Sequence, residues 1–421
     1  MRADHYDAII VGARVSGAAT GLLLARAGAK VLILDREVAI GDTLSTHALM
    51  RPAVELLSRW GLLGRLLNAD TPIVRQAQFQ YGPELTSVPI KSSDAVPGLC
   101  APRRWLLDRT ILDAAVEAGA DLSLGTVVEA CLTDAVGRVV GVSARRRDRT
   151  PVSVHADLVI GADGRASRVA ELVGARVLAS SAHRAATIYG YFPGIPNKGY
   201  RWYFGPGVTG GAIPTNDGMH CVFVSCRPED YIARFAADGH GRLREIIRRF
   251  DAGPAESMRA APAERMRRFP GAPGYIRTRA GRGWALVGDA AFFKDPATAH
   301  GLTDALLDAH HLSGLLGRDR GLERYQLDRQ AHAVGIFETT QKIASFDWDY
   351  DALAALHATL NDRLKREQAA LGPSTVAMFI LRPVEMRRES GAAPGARTTP
   401  PSSPAHRWPR LKDRAPPCMR R

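Results

Sequence analysis

Nowhere in the 421 residues does an apolar run approach the ~20 residues that cross a bilayer as a helix, so no transmembrane segment is expected. Cysteine is scarce: five residues (Cys100, Cys131, Cys221, Cys226 and Cys418), none in a Cys-x-x-Cys pair or at metal-ligand spacing. That absence excludes a zinc ribbon, a dithiol redox motif and a disulfide framework, and no metal is expected. The first residues, MRADHYD, have no apolar core and read as neither a secretory nor a transit peptide. A cytoplasmic protein with reduced thiols is the expectation. Acidic residues are also short, 43 against 56 Lys and Arg, for a net charge of +13. From Arg387 onward nine Lys and Arg face only two Asp and Glu, so more than half of the excess lies in a Pro-, Ser-, Gly- and Arg-rich tail. Such a composition cannot bury enough apolar surface to offset its ordering entropy and is expected to be disordered. The remainder is mildly basic, which suits phosphate handling better than nucleic-acid binding.

What the chain has is a succession of buried-type strands. Residues 6–11 read as a strand, 16–28 as a helix and 30–35 (KVLILD) as a second strand apolar throughout, the mark of a parallel sheet. Helical spacing follows over 51–60 and 103–118, hairpin strands over 122–132 and 139–145, and a further buried strand at 157–161 (DLVIG). Between about 184 and 225 the pattern becomes β-rich and aromatic, then helical over 228–250. Buried-strand character returns at 284–288 (WALVG) and is expected to run into a long helix ending near Leu316, with helices over 321–371. The fold class expected is α/β: a Rossmann-like domain interrupted by an antiparallel β-rich one, with a helical C-terminal part.

Three strand-to-helix loops carry chemistry. The first is Gly12-Ala13-Arg14-Val15-Ser16-Gly17, with Asp35 and Arg36 closing the next strand. Gly12 permits the tight turn, Gly17 the close helix–strand packing, and the helix N-terminus offers free N–H groups to a pyrophosphate. Arg14 stands where a glycine is usual, so its side chain must turn outward or lie against the phosphates. Asp35 is placed to accept hydrogen bonds from ribose hydroxyls. The second loop, Gly161-Ala162-Asp163-Gly164-Arg165, and the third, Gly288-Asp289-Ala290-Ala291 followed by Pro296–Leu302, each present a carboxylate at a strand's carboxyl end.

In order and spacing, these loops and the β-rich insert resemble the FAD-dependent aromatic-hydroxylase-like flavoprotein monooxygenases, the p-hydroxybenzoate hydroxylase group, over residues 6–320. The resemblance implies that Gly12, Arg14, Gly17, Asp35 and Arg36 surround the ADP half of FAD, with Arg104 near its phosphates and Val128 at adenine. Asp163 and Gly164 would serve FAD and the nicotinamide donor, Gly288 and Asp289 the ribityl–pyrophosphate region, and Gly301 and Leu302 the flavin pyrimidine edge. Pro296 would wall the reactive ring face. His300 replaces the amide usual in this loop and would lie beside the flavin as a tuning or proton-donating group. The FAD-binding domain would comprise 1–75, 100–178 and 275–320, the substrate domain 76–99 and 179–274, C-terminal helices 321–375 and the basic tail 376–421.

The implied reaction is transfer of one oxygen atom from O2, through a flavin adduct, into an aromatic or unsaturated small molecule, with NADH or NADPH as transient donor. A monomer or homodimer is expected. Tyr189, Tyr191, Tyr200, Trp202 and Tyr203 alternate along the insert's strands, so one set faces the FAD domain. Two other readings fit parts of the pattern. A geranylgeranyl-reductase-like enzyme would saturate C=C bonds with His300 as proton donor. A non-catalytic flavin- or RNA-binding protein would use the basic tail.

Overall fold

The computed structural model describes residues 5–370; the expected basic tail lies outside the described residues. Its central sheet sets five strands parallel in the spatial order Trp284–Leu286, Pro151–Gly161, His5–Val11, Val31–Asp35, Asp121–Leu124. Every residue of Val31–Asp35 is buried, as a strand covered on both faces must be. The first strand feeds the helix Val15–Arg26, which packs against the helices Arg104–Glu117 and Gly301–Leu315. The carboxyl ends of the strands and the N-termini of these helices therefore meet along one crevice.

A second, seven-stranded sheet runs Arg267–Phe269, Ala186–Pro193, Met219–Cys226, Val208–Pro214, Tyr200–Gly205, Gln76–Tyr81, Glu84–Pro89. All its pairings are antiparallel except that between Tyr200–Gly205 and Gln76–Tyr81. Alternation divides its aromatics between the two faces. Tyr189, Tyr191, Tyr200 and Trp202 join the buried cluster that contains Ile10, Ala13 and Leu49 of the nucleotide half. Ile188, Phe192 and Tyr203 face the other way, against the helix Gly239–Phe250.

Sequence periodicity misjudged three boundaries. The strand expected at 157–161 begins at Pro151, because its first half pairs antiparallel with Val139–Arg146 before its second half enters the parallel sheet. Trp284–Leu286 does not run into a helix: a 3-10 turn at Gly288–Ala290, a two-residue strand at Phe292–Phe293 and a second 3-10 turn at Pro296–Thr298 intervene. The helical stretch after 321 divides into Gly321–Ala344 and Tyr350–Ala369. No helix of the described residues is long and apolar enough to cross a membrane.

Candidate functional site

The crevice begins at the first glycine loop. Gly12 has φ +111°, and a Cβ there would stand 2.4 Å from the Ala162 carbonyl oxygen. A Cβ on Gly17 would stand 1.8 Å from the Gly12 carbonyl oxygen, so two of the three loops interlock only because both residues are glycine. Arg14, between them, has φ −88°, which any L-residue adopts. Its guanidinium turns away from the helix axis, donating to Asp108 at 2.8 Å and to the Gly41 carbonyl at 3.0 Å. Arg104 holds the same carboxylate through Nε and Nη2 at 2.9 and 3.0 Å, and Asp108 is fully buried between them. Arginine is thus tolerated because the position needs no glycine conformation and a buried acid receives the charge.

Asp35 accepts from the Ala13 and Glu37 N–H groups at 2.7 and 2.8 Å. It braces the glycine turn, and each oxygen keeps a lone pair for a ribose hydroxyl. Arg36 points to solvent beside Glu37. Val128 is buried in the strand Thr126–Thr133, whose register shifts just after it. Asp163 accepts from Ser167 Oγ at 2.5 Å and from the Val169 N–H at 3.1 Å, and burial raises its carboxyl pKa above the usual range. Gly164, φ +77°, completes that turn. Gly288, φ +60°, lies against Ser16 of the first helix and so joins the third loop to the first. The Asp289 carboxylate accepts no hydrogen bond from any described residue, while its backbone carbonyl accepts from Tyr275 Oη at 2.8 Å; burial raises its pKa while Arg165, Lys294 and Arg104 pull it down.

At the far end the helix Gly301–Leu315 starts with no side-chain cap. Its first-turn N–H groups have no intrahelical acceptor and carry the positive end of the helix dipole. Pro296 and Gly301 are exposed and Leu302 is half-buried, whereas His300 between them is only 2 % exposed. The His300 ring turns inward, its Nδ1 3.3 Å from Asp304, and burial, then Lys294, push its pKa down to about 3. This buried ring corrects the expectation of a proton donor beside the flavin; it follows a left-handed Ala299, φ +50°, and precedes the exposed Gly301.

The aromatic face also differs from a bare pocket wall. Tyr189 Oη accepts from the Ser45 N–H at 3.0 Å, Tyr191 Oη lies 3.1 Å from His47 Nε2, and Tyr200 Oη donates to the Leu49 carbonyl at 3.4 Å. Three tyrosines from the second sheet thus hold segment 45–49, and Met50 continues to Thr303 Oγ1 of the Gly301 helix. Arg103, 3.7 Å above the Tyr191 ring, binds Asp42 and Glu264 rather than joining Arg104.

Sequence reading missed the acids that hold the loops from behind. Asp308, fully buried, accepts from the Gly288 N–H at 2.9 Å, from Arg279 Nη1 at 2.9 Å and from Arg329 Nε at 2.6 Å. Arg329 also donates to Glu367 at 2.7 Å. A signal was available: Asp304 and Asp308, one turn apart, fall among the apolar residues of GLTDALLDAHHL, where a solvated acid has no place. Arg14→Ala is expected to weaken FAD binding by less than about tenfold, since the Arg14 guanidinium is spent on Asp108 and Arg104 still holds that carboxylate through two hydrogen bonds. Flavin fluorescence titration measures this.

The crevice therefore offers glycine turns that admit a backbone–phosphate approach, a ribose acceptor, an unpartnered acid at Asp289 and free amides at Gly301. These fit an extended FAD. Comparison agrees: the family model described as "FAD binding domain" matches residues 5–340. The chain is 29 % identical to digeranylgeranylglycerophospholipid reductase 2 of Methanopyrus kandleri, covering 72 % of this chain and 74 % of that one. It is 27 % identical to aklavinone 12-hydroxylase DnrF of Streptomyces peucetius, over 77 % of this chain and 71 % of the relative. The structure of Pseudomonas aeruginosa PqsL in complex with 2-aminobenzoylacetate superposes with TM-score 0.68 at 23 % identity, over 87 % of this chain and 99 % of PqsL. With four-fifths of its length matched, this chain belongs to the FAD-binding-domain family and is an FAD-dependent enzyme.

Proposed function

We propose that the protein is an NAD(P)H-dependent monooxygenase that inserts one oxygen atom of O2 into an aromatic or unsaturated small molecule. The observation that carries this over a double-bond reductase is the inward turn of His300. Saturating a C=C bond needs a proton donor at the crevice. His300, the residue the reductase reading assigns to that role, is 2 % exposed, with its pKa pushed down to about 3. Oxygen transfer asks for no such acid, because bound FAD supplies the redox and oxygen chemistry itself.

The chain's own residues then bind, orient and exclude water. First-turn amides of Gly301 and Leu302 stabilise negative charge at the pyrimidine edge without reorganising. Asp295, fixed by the Ala297 and Ala185 N–H groups at 2.9 and 2.6 Å, holds the turn at Pro296, which would wall a bound flavin ring. Arg104 and Asp289 face the pyrophosphate–ribityl region, and Asp163 with Gly164 shapes the approach of the nicotinamide donor.

Oxygen uptake by FAD-loaded protein supplied with NADPH or NADH tests the reading, with aromatic and polycyclic compounds screened as stimulants. Oxygen-consuming turnover with incorporation of label from 18O2 into a product is expected. Anaerobic turnover that saturates an isoprenoid double bond would instead establish the reductase reading that the Methanopyrus kandleri relative suggests.

A further inference from the structure

Beneath the Gly301 turn lies a buried group of charges that the reaction above does not use. Lys294 Nζ contacts Asp304 Oδ2, and Asp304 Oδ1 faces His300 Nδ1. One nitrogen of His300 and one oxygen each of Asp304 and Glu367 lie within 4.8 Å of one another. Glu367 Oε1 accepts from Arg329, while Oε2 has no hydrogen-bond partner. These side chains are all 5 % exposed or less and come from four segments: the turn at Lys294, the Gly301 helix, the Gly321 helix and the Tyr350 helix. Lys294 and Arg329 already face the two carboxylates, so the group has no need of a metal ion. Its charges balance only while Lys294 keeps its proton and His300 is neutral.

We propose that Lys294, Asp304, His300 and Glu367 form a proton-holding site coupled to the flavin edge, which fills with one proton when negative charge arrives at the Gly301 and Leu302 amides. The C-terminal helix, through Glu367, is then a positioning element of the cofactor site. The proposal rests on FAD lying at those amides, and retention of flavin by the purified protein reports that separately.

The balance is simple. A nicotinamide donor gives up hydride and becomes oxidised, and the flavin gains two electrons and one hydrogen nucleus, leaving one negative charge. A proton from solvent binds Lys294 Nζ and neutralises that charge; no bond to substrate forms or breaks in this step. Burial pushes Lys294 down to about 8, while Glu367, Asp289 and Asp308 hold it up and Arg329 opposes them; the Asp304 carboxylate that Nζ touches also favours the protonated form. Near and above that pH the oxidised protein is therefore short of a proton, and added negative charge nearby restores it.

Proton uptake is read with a pH indicator in weakly buffered, oxygen-free FAD-loaded protein reduced stoichiometrically with dithionite. The difference between wild type and variant cancels protons from the donor. Relative to Lys294→Met, wild type is expected to take up additional protons, approaching about one per flavin, above pH about 8 and none near pH 6. Glu367→Gln removes a negative charge that holds the Lys294 proton, so the pH window of extra uptake moves downward. Equal uptake by wild type and Lys294→Met at every pH overturns the proposal. If Lys294→Met fails to hold FAD, Glu367→Gln decides alone: a downward shift supports the site, and an unmoved or raised window overturns it.

Discussion

Gly17→Ala is expected to purify without flavin. Its Cβ would lie 1.8 Å from the Gly12 carbonyl oxygen and 2.9 Å from that carbonyl carbon, both backbone atoms that cannot rotate aside. Either the first helix moves off its strand or the glycine turn opens, and both displace the helix N-terminal amides that would meet the pyrophosphate of FAD. Forced overpacking of this kind costs roughly 1–3 kcal/mol of stability. Loss of the aligned helix N-terminus should weaken FAD binding by at least about 100-fold, about 2.7 kcal/mol. Flavin fluorescence titration and thermal melting measure the two effects. Gly64→Ala is the control, since a Cβ there meets nothing within 4 Å and the backbone is not left-handed. A Gly17→Ala protein that bound FAD normally would show that the helix N-terminus is not the phosphate site.

The second large effect is expected at Asp308→Ala, a residue with no direct access to ligand. Its carboxylate, fully buried, answers two buried guanidinium groups and the Gly288 N–H. Removing it leaves Arg279 and Arg329 charged in a dry interior and frees the turn that presents Asp289. Breaking one side of a buried ion pair costs about 3–5 kcal/mol, so the urea midpoint should fall steeply and flavin should be lost with it. Asp308→Asn keeps an acceptor for the Gly288 N–H but not the charge. It should retain part of the flavin affinity while remaining destabilised. The ordering Ala below Asn below wild type in flavin retention separates the turn-holding role from the charge.

The two predictions differ in how far the sequence announced them. Gly12 and Gly17 sit in a local pattern: strand, tight turn, helix, all within a dozen residues, so spacing alone exposes their purpose. Asp163 and Asp289 are legible for the same reason, each lying in a short loop at the end of an apolar strand. The alternation Tyr189, Tyr191 and Tyr200, Trp202 likewise follows from the two-residue period of a strand, which requires one set to face the nucleotide domain.

Side-chain direction and long-range pairing were not legible. Arg14 reads as a flaw in a fingerprint until Asp108, 94 residues away, is seen to receive it. His300 reads as a catalytic group until its ring is found buried. Tyr189 and Tyr191 read only as facing the nucleotide domain until their hydroxyls are found on Ser45 and His47, 144 residues earlier. Sequence by itself determined the α/β architecture and the places of the three glycine- and carboxylate-bearing loops, because these depend on periodicity and on glycines whose effect is local, and the resemblance those loops carry pointed to the family. The tertiary structure alone decided which charges meet and which polar atoms face the crevice. A buried charge takes its partner from whatever helix packs against it, and nothing in the spacing of Asp308, Arg329 and Glu367 records that they share one dry interior.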